Sequence, residues 1–112
     1  MAKGGYGIAY EADVTNAHQV RQMVASCEQI DILVNNAGVI AEKPFLEITE
    51  ADWDHVINSD LKSVFLCSQS VLSELAKQGN GIIVNISSHL AYPGREDDSS
   101  YCSSKPGVTG LT

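Results

Sequence analysis

Short apolar runs rich in β-branched residues alternate along the chain with longer segments of helical period. Ile8 to Asp13, Asp31 to Val34 and Gly81 to Ser87 each read as a strand that ends in small or polar residues. Between the first two, Asn16 to Gln29 places Val20, Met23, Val24 and Cys27 at helical spacing, with Thr15 or Asn16 as the cap. After the second strand, Thr49 stands three residues before Asp52, a capping signal. Trp53, Ile57, Leu61, Val64, Ser68, Val71, Leu72 and Leu75 then trace one face of a long helix that Gly79-Asn80-Gly81 ends. The order β-α-β-α-β, with strands apolar along most of their length, predicts a parallel sheet covered by helices through right-handed crossovers. Ligands in such folds bind beyond the carboxyl ends of the strands. That rule points to Asp13-Val14, to Asn35-Asn36-Ala37-Gly38 and to Ser87-Ser88.

Composition narrows the functions open to this fold. The chain has 112 residues, one domain at most, and is 44% apolar with nine Gly and three Pro, as a folded globular chain should be. Seven Lys+Arg against fourteen Asp+Glu leave a net charge of −7, which disfavours both nucleic acid and an anionic membrane surface as partners. The start, Met1 to Tyr6, lacks the apolar run of a leader, and no stretch approaches the ~18 apolar residues of a membrane span, which places the chain in the cytoplasm. Cys27, Cys67 and Cys102 are odd in number and form no C-x-x-C pair, so they read as three buried or half-buried thiols. His18, His55 and His89 lack ligand spacing, and no metal site is expected. No internal repeat, low-complexity run or linker breaks the chain; Pro93 to Asp98 is a local polar loop.

Candidate chemistry lies near the carboxyl end of the sequence. Tyr101 and Lys105 are four residues apart, on one helix face one turn from each other. A cation beside a phenol favours its phenolate form and suits it to exchange a proton. Thirteen residues upstream of Tyr101, Ser88 follows the third strand, where its hydroxyl can hold a substrate oxygen. A Tyr-x-x-x-Lys pair alone is a weak signal, equally at home on an ordinary surface helix. In Asn35-Asn36-Ala37-Gly38, the small Ala37 and Gly38 let backbone approach a nucleotide closely, while the Asn amides can bond backbone and ribose; taken alone, the same four residues also make a plain tight turn. Ser88 beside His89 raises a serine hydrolase as another reading, but neighbours on a strand point to opposite faces and no G-x-S-x-G elbow is present.

Taken in order and with their spacing, these pieces resemble the short-chain dehydrogenase/reductase family over essentially the whole chain. Asp13-Val14 looks like the pair after the family's third strand that contacts adenine. Asn35 to Gly38 matches its N-N-A-G turn, Trp53-Asp54 through Leu61-Lys62 its fourth helix, Asn85 to Ser88 its fifth strand with the catalytic serine, and Tyr101 to Lys105 its Y-x-x-x-K. The resemblance implies a partial doubly wound, three-layer Rossmann-type α/β fold. Residues 1–112 would form a single incomplete NAD(P)-binding domain. It further implies NAD or NADP as cofactor, a small carbonyl or alcohol substrate, and homo-oligomers built through the fourth and fifth helices. Tyr101 would exchange a proton with the substrate oxygen, Lys105 would assist it and hold the nicotinamide ribose, and Ser88 would orient the carbonyl. The closest likeness within the family is to sugar and sugar-acid dehydrogenases and to 3-oxoacyl carrier-protein reductases.

The chain also departs from the family pattern. The first two strands and the T-G-x-x-x-G-x-G phosphate loop have no counterpart, Gly4-Gly5-Tyr6-Gly7 reads as a loop remnant, and the region after Thr112 that would complete the sheet and substrate pocket is missing. Where the family places a catalytic Asn, this chain has Asp60, expected on the edge of the apolar stripe beside Ile57 and Val64 and in need of a partner or a raised pKa. Asn58, about 160° away around a helix, is no substitute. Pro106 directly follows Lys105; in a helix interior it leaves the Cys102 carbonyl without a donor, costs about 3 kcal/mol and biases Lys105 away from helical dihedrals. Both departures fall on the catalytic machinery, so a non-catalytic relative acting by protein association is the alternative to an oxidoreductase.

Overall fold

The computed structural model describes residues 4–112; Met1 to Lys3 lie outside them. Asn16 caps α1 (Ala17–Ala25), its side-chain oxygen accepting the His18 and Gln19 N–H groups at 3.0 and 3.1 Å. The helix closes four residues earlier than its apolar spacing predicts. The Ser26 hydroxyl turns back to the Met23 carbonyl at 2.6 Å, and Cys27, expected to be sheltered, stands exposed beyond the helix.

Strands β1 (Ile32–Asn35) and β2 (Ile82–Asn85) pair in parallel, Ile32 beside Ile82 through Asn35 beside Asn85. The Ile82 N–H to Asp31 and the Ile86 N–H to Asn35, both 3.0 Å, continue the ladder past each end. The expected strand at Ile8 to Asp13 does not form: that segment has no regular structure and pairs with no strand among the described residues, and Ile8 is largely exposed. The reason is topological. In the doubly wound order 3-2-1-4-5, the third strand pairs with the second, which has no counterpart in this sequence, whereas the fourth and fifth are neighbours and pair here.

Between the two strands runs one long helical stretch. The Thr49 hydroxyl accepts the Asp52 N–H and the Asp52 carboxylate accepts the Thr49 N–H, both at 3.0 Å, which opens α2 (Glu50–Ile57) with the capping box expected from the sequence. Lys43 pairs with the same carboxylate at 2.8 Å and, ahead of the Thr49 bonds, holds it down to about 2. A π-helical turn, Asn58–Lys62, then leads into α3 (Ser63–Gln78), which Gly79 ends in the left-handed conformation with φ +77°.

The wider π turn changes which side chains face inward. The buried line is Val56, Asp60, Val64, Cys67, Val71 and Leu75, so Asp60 lies in the middle of the stripe and not at its edge. Trp53, Ile57 and Leu61 are only half-buried and Leu72 is exposed, contrary to the predicted face.

Helix α3 covers the sheet face carrying Leu33 and Asn35, and α1 packs on α3. The opposite face presents Ile32, Val34, Ile82, Val84 and Ile86 to solvent, so this chain shows the sheet with one of the two helical layers of the doubly wound design. Beyond β2, a short 3₁₀ turn (His89–Ala91) leads through the polar loop to α4 (Ser99–Leu111), which packs on α2 and on the π turn. The Cα radius of gyration is 15.8 Å, against about 13 Å for a compact chain of this length.

Candidate active site

Three elements converge where β1 and β2 end: the turn after β1, the π turn and α4. Asp60, with no solvent exposure, stands at their junction. One of its carboxylate oxygens accepts the Val39 N–H at 2.7 Å, and the other lies 3.3 Å from the Ser104 hydroxyl. Burial pushes the Asp60 carboxyl above the ordinary carboxylate range, opposed by the Val39 N–H, the Lys105 charge, Ser104 and His55 in that order. The sequence expectation of a sheltered Asp60 in need of partners is met by Val39 and Ser104.

Lys105 is 5% exposed, its stem packed inside and its ammonium donating to the Ile86 carbonyl at 3.2 Å. The same nitrogen lies 5.5 Å from the centroid of the Tyr101 ring, within range of a cation–π contact. The helical spacing of the pair thus brings phenol and ammonium together. Pro106 does not prevent this, although it lies well inside α4 and not in its first turn. Lys105 is helical all the same, its carbonyl accepting the Ser87 hydroxyl at 2.9 Å and its ammonium bonded to Ile86.

Gly38 sits against this cluster. A Cβ at that position would lie 3.2 Å from an Asp60 carboxylate oxygen and 3.6 Å from the Lys105 ammonium, so glycine is what lets the turn close over both. Asn36 and Ala37 are exposed beside it. Asn35 is turned inward: its amide nitrogen donates to Asn85 at 2.8 Å and to Ser68 at 3.2 Å, tying the two strand ends to each other and to α3.

Ser88 precedes the 3₁₀ turn, its oxygen accepting the Leu90 N–H at 3.2 Å, which leaves the hydroxyl proton free to donate outward. Among the described residues no hydrogen bond joins Ser88 to His89, and the hydrolase reading finds no dyad. Asp13 and Val14 stand apart from the cluster. The Thr15 hydroxyl (2.7 Å) and N–H (2.9 Å) bond to the Asp13 carboxylate and hold it below its ordinary range. Among the described residues no group of three or more potential metal ligands gathers, and no helix is long and apolar enough to cross a membrane.

Ser104, the Val39 N–H and the Ile86 carbonyl are the members of the cluster that sequence reasoning missed. Ser104 alone carried a signal, since it stands three residues after Tyr101 on the face that a buried Asp60 must meet.

Comparison with known proteins gives the same picture from outside. The sequence model described as short chain dehydrogenase matches residues 2–112. The 3-oxoacyl-(acyl-carrier-protein) reductase FabG of Staphylococcus epidermidis is 36% identical over 115 aligned residues, covering 99% of this chain and 47% of the relative. That of Thermotoga maritima is 41% identical over 107, covering 92% and 44%. The chain therefore spans about half the length of the curated relatives it matches. A crystal structure described as a short-chain alcohol dehydrogenase from Sinorhizobium meliloti superposes with a TM-score of 0.90 at 32% identity, covering 94% of this chain and 43% of that one. One described as a gluconate dehydrogenase from Agrobacterium tumefaciens gives 0.86 at 35%, covering 89% and 41%. With that sequence model matched over residues 2–112, nearly the whole of the chain, this chain belongs to the short-chain dehydrogenase family.

Proposed function

We propose that this chain carries the proton-transfer centre of an NAD(P)-dependent oxidoreductase acting on a small carbonyl or alcohol. The observation that carries the reading is the Tyr101–Lys105 pair, with the ammonium buried 5.5 Å from the ring centroid at the carboxyl ends of the strands. The residues fit a nicotinamide nucleotide. The exposed Asn36-Ala37-Gly38 turn gives close access to backbone, and Lys105 spends one of its three ammonium protons on Ile86, leaving donors for ribose hydroxyls. Asp13 and Val14, at the end of the arm, are the positions for adenine. The bound nicotinamide supplies the hydride.

The protein groups handle the proton. Ser88 donates its free hydroxyl proton to the substrate carbonyl and orients it. Tyr101 would give its phenolic proton to the same oxygen, and the phenolate left behind would be stabilised by the Lys105 charge. In the oxidative direction Tyr101 takes the proton back. The names of the relatives point to 3-oxoacyl thioesters and to sugar acids as the substrate classes to try first.

The test is NAD(P)H oxidation with a panel of 3-oxoacyl thioesters, ketones and sugar acids. Tyr101→Phe should lower the rate at least about 100-fold, the lower range for losing a general acid. Turnover undiminished in that variant overturns the assignment of Tyr101. A second reading, association without catalysis, draws on the open apolar sheet face; failure of the chain to bind either nucleotide would favour it.

A further inference from the structure

Arg95 holds two carboxylates with one nitrogen. Its Nη2 lies 3.1 Å from a Glu42 oxygen and is also ion-paired with Asp98. The two acids differ in burial: the Glu42 side chain is 64% exposed and that of Asp98 is wholly buried. Breaking a buried pair leaves a charge out of water and is costly, whereas an exposed pair contributes little and exchanges readily. Asp98 is therefore the fixed anchor of Arg95, and Glu42 its replaceable partner.

The anchor also sets where the guanidinium stands. Asp98 opens α4, its carbonyl accepting the Cys102 N–H at 2.8 Å, and its carboxylate has no hydrogen-bond donor other than Arg95 close to it. Asp98, Tyr101 and Lys105 follow one another at helical spacing, so Arg95 is held at the end of α4 one turn from the proposed proton donor. It belongs to the loop that joins Ser88 to Tyr101. Among the described residues the Arg95 Nε and Nη1 have no partner, and the side chain is half-exposed. Donors thus remain for a further acceptor.

We propose that Arg95 binds the carboxylate of an acidic substrate in exchange for Glu42, and so selects sugar acids over neutral alcohols and ketones. This rests on the oxidoreductase reading and narrows its substrate class. A guanidinium can grip a carboxylate through two parallel bonds, whereas Glu42 uses a single nitrogen of Arg95. The exchange does not release the loop. The Lys43 N–H stays bonded to the Asp97 carbonyl at 2.9 Å and the Lys43 ammonium to Asp52 at 2.8 Å, so the segment carrying Glu42 remains tied to the loop and to α2. Glu96 and Asp97, the other carboxylates of the loop, are exposed and form no ion pair with Arg95 among the described residues.

The experiment titrates the ¹⁵N-labelled chain, without nucleotide, with gluconate and with sorbitol, which carry the same run of hydroxyls and differ in the carboxylate. Gluconate is expected to move the Arg95 Nε–H resonance and to bind at least about tenfold tighter than sorbitol, as for one hydrogen bond to a charged group. Glu42→Gln should tighten gluconate several-fold, because the competing carboxylate is gone, and leave sorbitol unchanged. Arg95→Ala combined with Asp98→Asn, which leaves no unpaired charge in the interior, should bring the two ligands to equal affinity. Equal binding of the two by the parent, or none, overturns the proposal, as does discrimination that survives the double substitution. Glu42→Gln without a gain for gluconate also overturns it, since that is the result expected if Arg95 and Glu42 only fasten the loops. These are binding measurements, so their failure is distinct from that of the oxidoreductase reading, which would show as undiminished turnover in Tyr101→Phe.

Discussion

The strand-end cluster and the arm before α1 invert the usual rule of burial in opposite senses. At the strand ends Asp60, Ser104 and Lys105 are buried polar groups, each with a protein partner. In the arm, Tyr6, Ile8 and Tyr10 are apolar or aromatic and exposed. The difference lies in how many elements meet. A turn, a π turn and a helix converge on Asp60 and supply its partners, while the arm runs beside no strand. Shelter here follows convergence and not hydrophobicity, so the residues closest to the proposed chemistry also hold the elements of the chain together.

That contrast can be broken by substitution. Gly38→Ala should cost the most, about 2 kcal/mol in urea unfolding, because the new methyl group meets an Asp60 oxygen that Val39 pins in place. A neutral result would mean that the cluster yields, and that convergence does not make it rigid. Thr49→Ala should cost about 1 kcal/mol through loss of the capping box, at a site that is local and exposed.

The same cap predicts an acid limb. Asp52 is held down to about 2, chiefly by Lys43, so its contribution is complete above the unfolded value of about 3.9 and is lost as pH falls through about 2. Asp52→Asn should flatten that limb in a pH series of urea midpoints. Smallest of all, Ile8→Ser should shift stability by less than about 0.5 kcal/mol, as for an exposed position away from packing, cap or hydrogen bond. A larger loss would show that the arm finds a partner in solution.

Much of the fold was legible because it is written locally. Helix α2 announced its start with Thr49 and Asp52, α3 its end with Gly79, and both strands that pair are β-branched runs. The strand at Ile8 was misread for a reason no local pattern contains: whether an extended run pairs depends on a neighbouring strand elsewhere in the sequence. The candidate site divides along the same line. Tyr101 and Lys105 were singled out by their helical spacing and residue type, and Asp60 by the resemblance of its helix to the family's fourth. Their partners Val39 and Ile86 act through backbone groups, which every residue possesses and no sequence distinguishes. Pro106 lies inside α4 with Lys105 still helical, and the Ser87 and Ile86 contacts of Lys105 could not be read from the local sequence.

The π turn at Asn58–Lys62 carries a consequence for how the helix can be read at all. The Ser63 N–H reaches back five residues to the Asn58 carbonyl, and so this stretch holds one residue more than an α-helix of the same path. The sequence is thereby legible in two frames. Wound as an unbroken α-helix, Ile57 would line up with Val64, and Asp60 and Leu61 would flank the seam on its two edges. Wound as it is, the segment before the turn is rotated by about 100°, and Val56 and Asp60 turn inward. The extra residue works as a phase shifter: it carries a single titratable group from the edge of the seam to its centre, without altering any residue on either side.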